Sequence, residues 1–163
     1  MLYIFAGLPG TGKTTLARHL ARTRKASYVR IDTIEQALRD AGVALHGPEG
    51  YMLAYRLAED SLRLGSDVVA DSVNPLQVTR QAWRDVAMRA GVRFIEIEVI
   101  CSDLDEHRAR LESRLADIPG QPVLTWQAVQ ARTYEPWDSS RIIIDTARKS
   151  VAETSSELDR MLE

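Results

Sequence analysis

Residues 7–15 read Gly-Leu-Pro-Gly-Thr-Gly-Lys-Thr-Thr, which sets Gly7, Gly12, Lys13 and Thr14 at the spacing G-x-x-x-x-G-K-[ST]. Glycines let a backbone take positive φ and come close to a ligand, so that successive N–H groups converge on an anion. A helix starting behind them adds its positive end. A lysine at this position follows β- and γ-phosphates, and the adjacent hydroxyl suits a magnesium ion. The pattern predicts a triphosphate cradle over Gly7, Leu8, Pro9, Gly10, Thr11, Gly12, Lys13, Thr14 and Thr15, with ATP and Mg2+ as the implied ligands and Thr14 on the metal. The bland alternative is a glycine-rich turn that happens to carry Lys and Thr. A strand before the loop and a helix after it weigh against that reading.

Two aspartates could complete the chemistry. Asp32 follows the second strand in VRIDTIEQAL and could accept a proton from a hydroxyl attacking the γ-phosphorus. Asp32 and Glu35 also fit a helix capping box, and spacing alone leaves the two roles even. Asp71 closes the apolar run VVAD, where a carboxylate could orient Mg2+ through its water shell or position an acceptor; a turn or cap is the weaker alternative. For Ser72 and Asn74 turn chemistry leads. In CSDLDEHRARLESR, Glu106, Arg110 and Arg114 fall four apart on one helical face, away from the Leu104, Leu111 and Leu115 stripe. That face could be merely solvated, but guanidinium groups at Arg110 and Arg114 could clamp phosphate charge, with Arg108 as the comparison and Arg132 as a lesser candidate. His19, His46 and His107 have no zinc spacing and read as structural or solvated. Tyr51, Tyr55 and Leu62 read as core at helical spacing, with Arg56 one step round.

These residues must be held by an alternating framework. Strands are expected at 2–6, 27–31, 67–71, 93–100 and 141–144, and helices at 13–24, 33–41, 49–65, 76–90, 104–115, 126–133 and 151–162. The alternation of strand and helix throughout implies parallel strands, right-handed crossovers and a three-layer α/β sandwich with ligands at the carboxyl edge. Pro48 marks a helix start, Gly65 a helix end, and Asn74-Pro75 an N-cap followed by proline at the first helical position. The segment 114–124, rich in Pro and Gly from Ala116 onward, is the expected lid.

The chain has 163 residues, 45% of them hydrophobic and 27% charged, with a formal net charge of −2. One domain over 1–163 is expected. The balanced charge weighs against nucleic acid as an obligatory partner without excluding it. The single cysteine, Cys101, follows an apolar strand and reads as a buried thiol, which leaves no intrachain disulfide. The short N-terminal apolar run enters the loop directly, so neither a leader nor a membrane span is expected, and the chain reads as a cytoplasmic enzyme, monomeric or homodimeric.

In the order GLPGTGKTT, the aspartate of RID, VVADSVNPLQVTRQAWRDVA and an Arg-rich helix before a lid, the chain resembles the small phosphate-loop (P-loop) kinases. That group includes the kinase domain of polynucleotide kinase, chloramphenicol phosphotransferase, gluconate kinase and the zeta-toxin kinases; ADSVNP with TRQAW looks most like its bacterial predicted-kinase, AAA-type ATPase-like branch. The resemblance implies a P-loop NTP hydrolase or nucleoside-kinase-like fold with strand order 2-3-1-4-5 and a general-base role for Asp32. It also implies an acceptor pocket between Asp32 and Asp71, and adenine near Asp145 and Thr146. Where polynucleotide kinase has D-x-x-R, this chain has Glu35, which favours a small neutral or cationic alcohol over a nucleotide 3′-phosphate. Transfer of the ATP γ-phosphoryl group to a small-molecule hydroxyl is therefore the first expectation. A polynucleotide 5′-hydroxyl kinase and a slowly hydrolysing ATP-binding switch are the alternatives.

Overall fold

The computed structural model describes residues 1–113 and 117–163. Along the chain run β1 (Leu2–Ala6), α1 (Lys13–Thr23), β2 (Ser27–Arg30), α2 (Ile31–Asp40), α3 (Glu49–Arg63) and β3 (Val68–Asp71). They are followed by α4 (Gln77–Ala90), β4 (Phe94–Ile100), α5 (Leu104–Glu112), α6 (Trp126–Gln130), β5 (Ile142–Asp145) and α7 (Val151–Met161). The strands form one all-parallel sheet in the order β2-β3-β1-β4-β5, as the resemblance implies.

A side-chain period of two sorts the sheet residues onto two helical layers. Leu2 and Ile4 of β1, with Val68 and Ala70 of β3, pack on Ala54, Ala58 and Leu62 of α3 and on Trp83, Val86 and Ala87 of α4. Tyr3 and Phe5, with Val69, Ile97, Val99 and Ile144, pack on Leu16, Ala17 and Leu20 of α1 and on Leu158 of α7. β1 and β3 are covered on both faces, which is why LYIFA and VVA read as unbroken apolar runs. All five strands finish at the same edge, so Gly7, Ile31, Ser72, Cys101 and Thr146 leave the sheet side by side.

Two local expectations are corrected. α2 begins at Ile31 with Arg30 as its N-cap and no side-chain cap bond, so Asp32 lies in the first turn and the Asp32–Glu35 capping box does not form. The ladder with β3 ends at the Arg30–Asp71 pair, and the chain enters the helix directly from there. Likewise α4 begins at Gln77 behind Leu76, not at Asn74-Pro75. Asn74 instead adopts φ 46 and is fully buried, with its amide Nδ2 donating to the Phe5 carbonyl at 2.9 Å. A carbonyl at the end of a buried strand needs a donor, and that need outweighs the cap. Tyr51 and Tyr55 pack against the α3–α4 core, with Tyr55 edge-on to Trp83 at 4.7 Å between ring centroids. Cys101 is buried, and burial pushes its thiol up.

Candidate active site

The loop after β1 is built around three glycines at positive φ, Gly7, Gly10 and Gly12. Gly7 has φ 141, and a Cβ there would lie 2.2 Å from the Val99 carbonyl oxygen. Gly12, at φ 90, caps α1 without any side-chain cap bond, so the first-turn N–H groups and the positive end of the helix face the cleft. Three neighbours fix the loop's shape. His107 Nε2, 2.8 Å from the Pro9 carbonyl, must carry a hydrogen to donate there; Thr146 Oγ1 donates to Thr11 O at 2.8 Å; and Thr11 Oγ1 donates to Leu8 O at 2.9 Å. His107 is thus a buried prop of the loop, edge-on to Trp126.

Lys13 starts α1 and turns its ammonium onto Asp71, with Nζ 2.5 Å from Oδ1. The other carboxylate oxygen accepts from Tyr28 OH at 2.6 Å, and Arg30 Nε stands 3.8 Å from it. Sheet register explains the grouping: Arg30, Asp71 and Phe5 lie in one row across β2, β3 and β1, and Tyr28 precedes Arg30 by two on the same face. Burial pushes the Asp71 carboxyl up, but the Lys13 charge and the hydrogen bonds from Lys13, Tyr28 and Thr14 more than offset it and hold it below the ordinary carboxylate range. Burial, together with the Asp71 charge, drives the Tyr28 phenol far above its ordinary value.

A cleft of about 350 Å3 opens above this pair. Leu8, Pro9, Gly10, Gly12, Lys13, Thr14 and Thr15 line it together with Asp32, Arg110 and Arg132, so most of the expected site residues meet there. Asp71 is fully buried beneath Lys13, and Thr11 lies behind the loop. Arg110 donates to Thr146 Oγ1 at 2.8 Å and to Thr146 O at 3.0 Å, and it pairs with Glu106. Arg108 points outward onto Glu112 at 2.8 Å. Arg114 falls outside the described residues, as do the first residues of the expected lid. Arg56 lines a separate shallow depression with Met52, Tyr55 and Arg89.

Beside the loop a second cleft, about 220 Å3, runs between Gly12, Thr15, Arg110, Thr146 and Lys149. Asp145 accepts from the Ser102 and Ala147 N–H groups and stiffens the β5 exit. Sequence reasoning missed Arg18, Tyr28, Arg30 and Asp117. Arg18 and Asp117 line the main cleft, and Arg30 is bonded to Asp117 from its floor. The period-two pairing of Tyr28 with Arg30 in SYVR was a usable signal for two of them; nothing local marks Asp117.

The fold and this loop define a single-sheet P-loop α/β protein. The chain belongs to the AAA domain family AAA_33, whose sequence profile matches residues 2–136. An uncharacterized protein of Mycobacterium tuberculosis strain H37Rv is 31% identical over 128 residues, covering 69% of this chain and 22% of its own length. The chain therefore spans about a fifth of the length of the curated relatives it matches. Among solved structures, Kti12 of Chaetomium thermophilum in complex with ADP-AlF3 superposes with a TM-score of 0.73 at 22% identity, covering 99% of this chain and 97% of the other. The Mycobacterium tuberculosis APS kinase CysC in complex with AMPPNP and APS gives 0.71 at 18% identity, covering 99% and 96%. A gluconokinase from Sinorhizobium meliloti gives 0.67 at 15%, covering 98% and 91%. At these identities the likeness is one of fold.

Proposed function

We propose that the chain is an ATP-dependent phosphotransferase that moves the γ-phosphoryl group to a hydroxyl of a small molecule. The observation that carries the reading is the buried Lys13–Asp71 pair set directly behind the glycine cradle, with Asp32 opening onto the same cleft. The Lys13 charge helps keep the Asp71 carboxylate ionised, and each residue has a task once the cradle is filled. Lys13 turns to the β- and γ-phosphates, where its charge counts most as negative charge builds on the phosphoryl group. Asp71, released, and the Thr14 hydroxyl would hold Mg2+ through its water shell; the donor set is hard oxygen, which suits that ion. The ion, when bound, neutralises charge on the phosphates.

Asp32 faces the cleft from the first turn of α2 and takes the acceptor's proton as its oxygen attacks. Arg110, oriented by Glu106 and Thr146, borders both clefts and supplies charge beside the phosphates. The smaller cleft near Thr146 suits adenine, and residues 114–124 serve as a short lid within one domain.

Calorimetry with AMPPNP and Mg2+ tests the reading. Lys13→Ala should weaken binding and abolish ATP consumption stimulated by an acceptor, measured over sugars, nucleosides, antibiotics and 5′-hydroxyl oligonucleotides. Unchanged affinity and turnover in that variant would sink it. Stimulation by oligonucleotides alone would move the assignment to a polynucleotide kinase, and binding with no stimulated acceptor to a switch.

A further inference from the structure

Resting on that reading, we propose that Arg18 and Arg30 form an anion-binding subsite for the acceptor, so that the acceptor is an alcohol that also carries a carboxylate or phosphate group, and that Asp117 of this chain fills the subsite while no acceptor is bound. Arg30 ends β2 with a side chain only 2% exposed, at the floor of the cleft. Its guanidinium is held by Asp117 through a two-pronged contact, Nη1 to Oδ2 at 2.7 Å and Nη2 to Oδ1 at 3.2 Å. Arg18, in the second turn of α1, donates to the same Oδ2 at 2.7 Å. A planar carboxylate received by one arginine fork and a second guanidinium is the arrangement by which proteins recognise a carboxylate or phosphate ligand.

A purely structural Arg30 would be expected to bond to Asp71, its neighbour in the sheet register. That carboxylate is already committed to Lys13 and Tyr28, and the buried Arg30 Nε stands 3.8 Å from it with no hydrogen-bond partner among the described residues. Asp32 accepts from Arg30 only at 3.5 Å. The short contacts of Arg30 thus go to a side chain on a loop between α5 and α6, one that is 31% exposed and itself lines the cleft. An acceptor anion can exchange with Asp117 and keep negative charge against Arg30, whereas a neutral alcohol cannot replace it without leaving a buried cation poorly paired.

The subsite departs from the neutral or cationic alcohol expected from Glu35. Glu35 is occupied by Arg39 at 3.3 Å, its side chain packs against Gly50, and it is not part of the cleft lining. The loss of an arginine at that position is compensated from two other elements, β2 and α1.

The test uses the full chain saturated with Mg2+ and AMPPNP, so that the cradle and the γ-phosphate position are filled. Inorganic phosphate and, separately, acetate are titrated while the Arg30 Nε–H resonance, assigned with Arg30→Lys, is followed by NMR. A saturable shift is expected with at least one anion, about 10-fold tighter in Asp117→Asn and about 10-fold weaker in Arg18→Met. The absence of a saturable shift in Asp117→Asn, or one of the same affinity as wild type, would overturn the proposal. Steady-state ATP consumption with glycerol, glycerate and glycerol 3-phosphate then separates the two anion sources, and faster turnover of the neutral member would also overturn it. Failure of AMPPNP to bind would refute the phosphotransferase reading separately, since the anion titration can still be read in the nucleotide-free chain.

Discussion

Replacing Asp71 by Asn tests the part of the site that does double duty. In the protein without nucleotide, Asp71 is fully buried and neutralises Lys13, whose side chain is 9% exposed, while Arg30 lies 3.8 Å away. Removing one partner of a buried pair costs about 3–5 kcal/mol, because the other charge is left without compensation. Here the cost should fall near the lower end, about 3 kcal/mol, because Arg30 keeps Asp117 and the flexible Lys13 stem borders the open cleft. That is a large share of an ordinary domain stability of about 5–15 kcal/mol. Urea unfolding near neutral pH measures it. A triphosphate should then repair the defect: AMPPNP in EDTA places new negative charge beside Lys13, so it should bind the variant about 10-fold more tightly than wild type, about 1.4 kcal/mol at equal excess. Added Mg2+ should in turn tighten binding to wild type far more than to Asp71→Asn. A stability loss below about 1 kcal/mol together with unchanged Mg2+-free affinity would refute the argument that this carboxylate holds Lys13 in trust for the nucleotide.

Asp32→Asn should leave the melting temperature and AMPPNP affinity close to wild type, since Asp32 caps nothing in the structure, yet lower acceptor-dependent turnover by about 100-fold or more; near-normal turnover in a steady-state assay would remove the base from Asp32. Arg80→Met should destabilise by about 3 kcal/mol or more in chemical unfolding. Arg80 is fully buried, donates to the carbonyls of Asn74, Pro75, Glu135 and Pro136, and stacks 4.1 Å from the Trp137 ring, so its loss orphans several acceptors at once. The Asp71 carboxyl is held below its ordinary value in the fold, so its contribution is complete above the unfolded carboxylate range, about pH 4, and is lost as pH falls through the depressed native value. Unfolding curves across acid pH should therefore decline below about pH 4, and less steeply for Asp71→Asn than for wild type.

The glycine spacing, the strand–loop–helix order and the alternation of apolar runs determined the loop, the layer architecture and the carboxyl edge at which the site would lie. These are local or periodic signals: the glycines of the loop, a Lys opening α1 and an acidic residue closing a buried strand are all written within a few residues. The strand order followed from resemblance and was matched by the sheet. Local pattern was less reliable at element ends. Asp32 and Glu35 have the letters of a capping box, yet the end of the β2–β3 ladder starts α2 two residues earlier, and Asn74 has the letters of an N-cap yet goes to the carbonyl of Phe5. What only the tertiary structure decided is which charges meet. Arg18, Arg30, Asp71 and Asp117 come from α1, β2, β3 and the loop before α6, separated by up to 99 positions between Arg18 and Asp117. No periodicity links such residues. Their pairing depends on parallel register placing Arg30 beside Asp71, on α1 crossing that face of the sheet, and on burial that makes each unpaired charge costly.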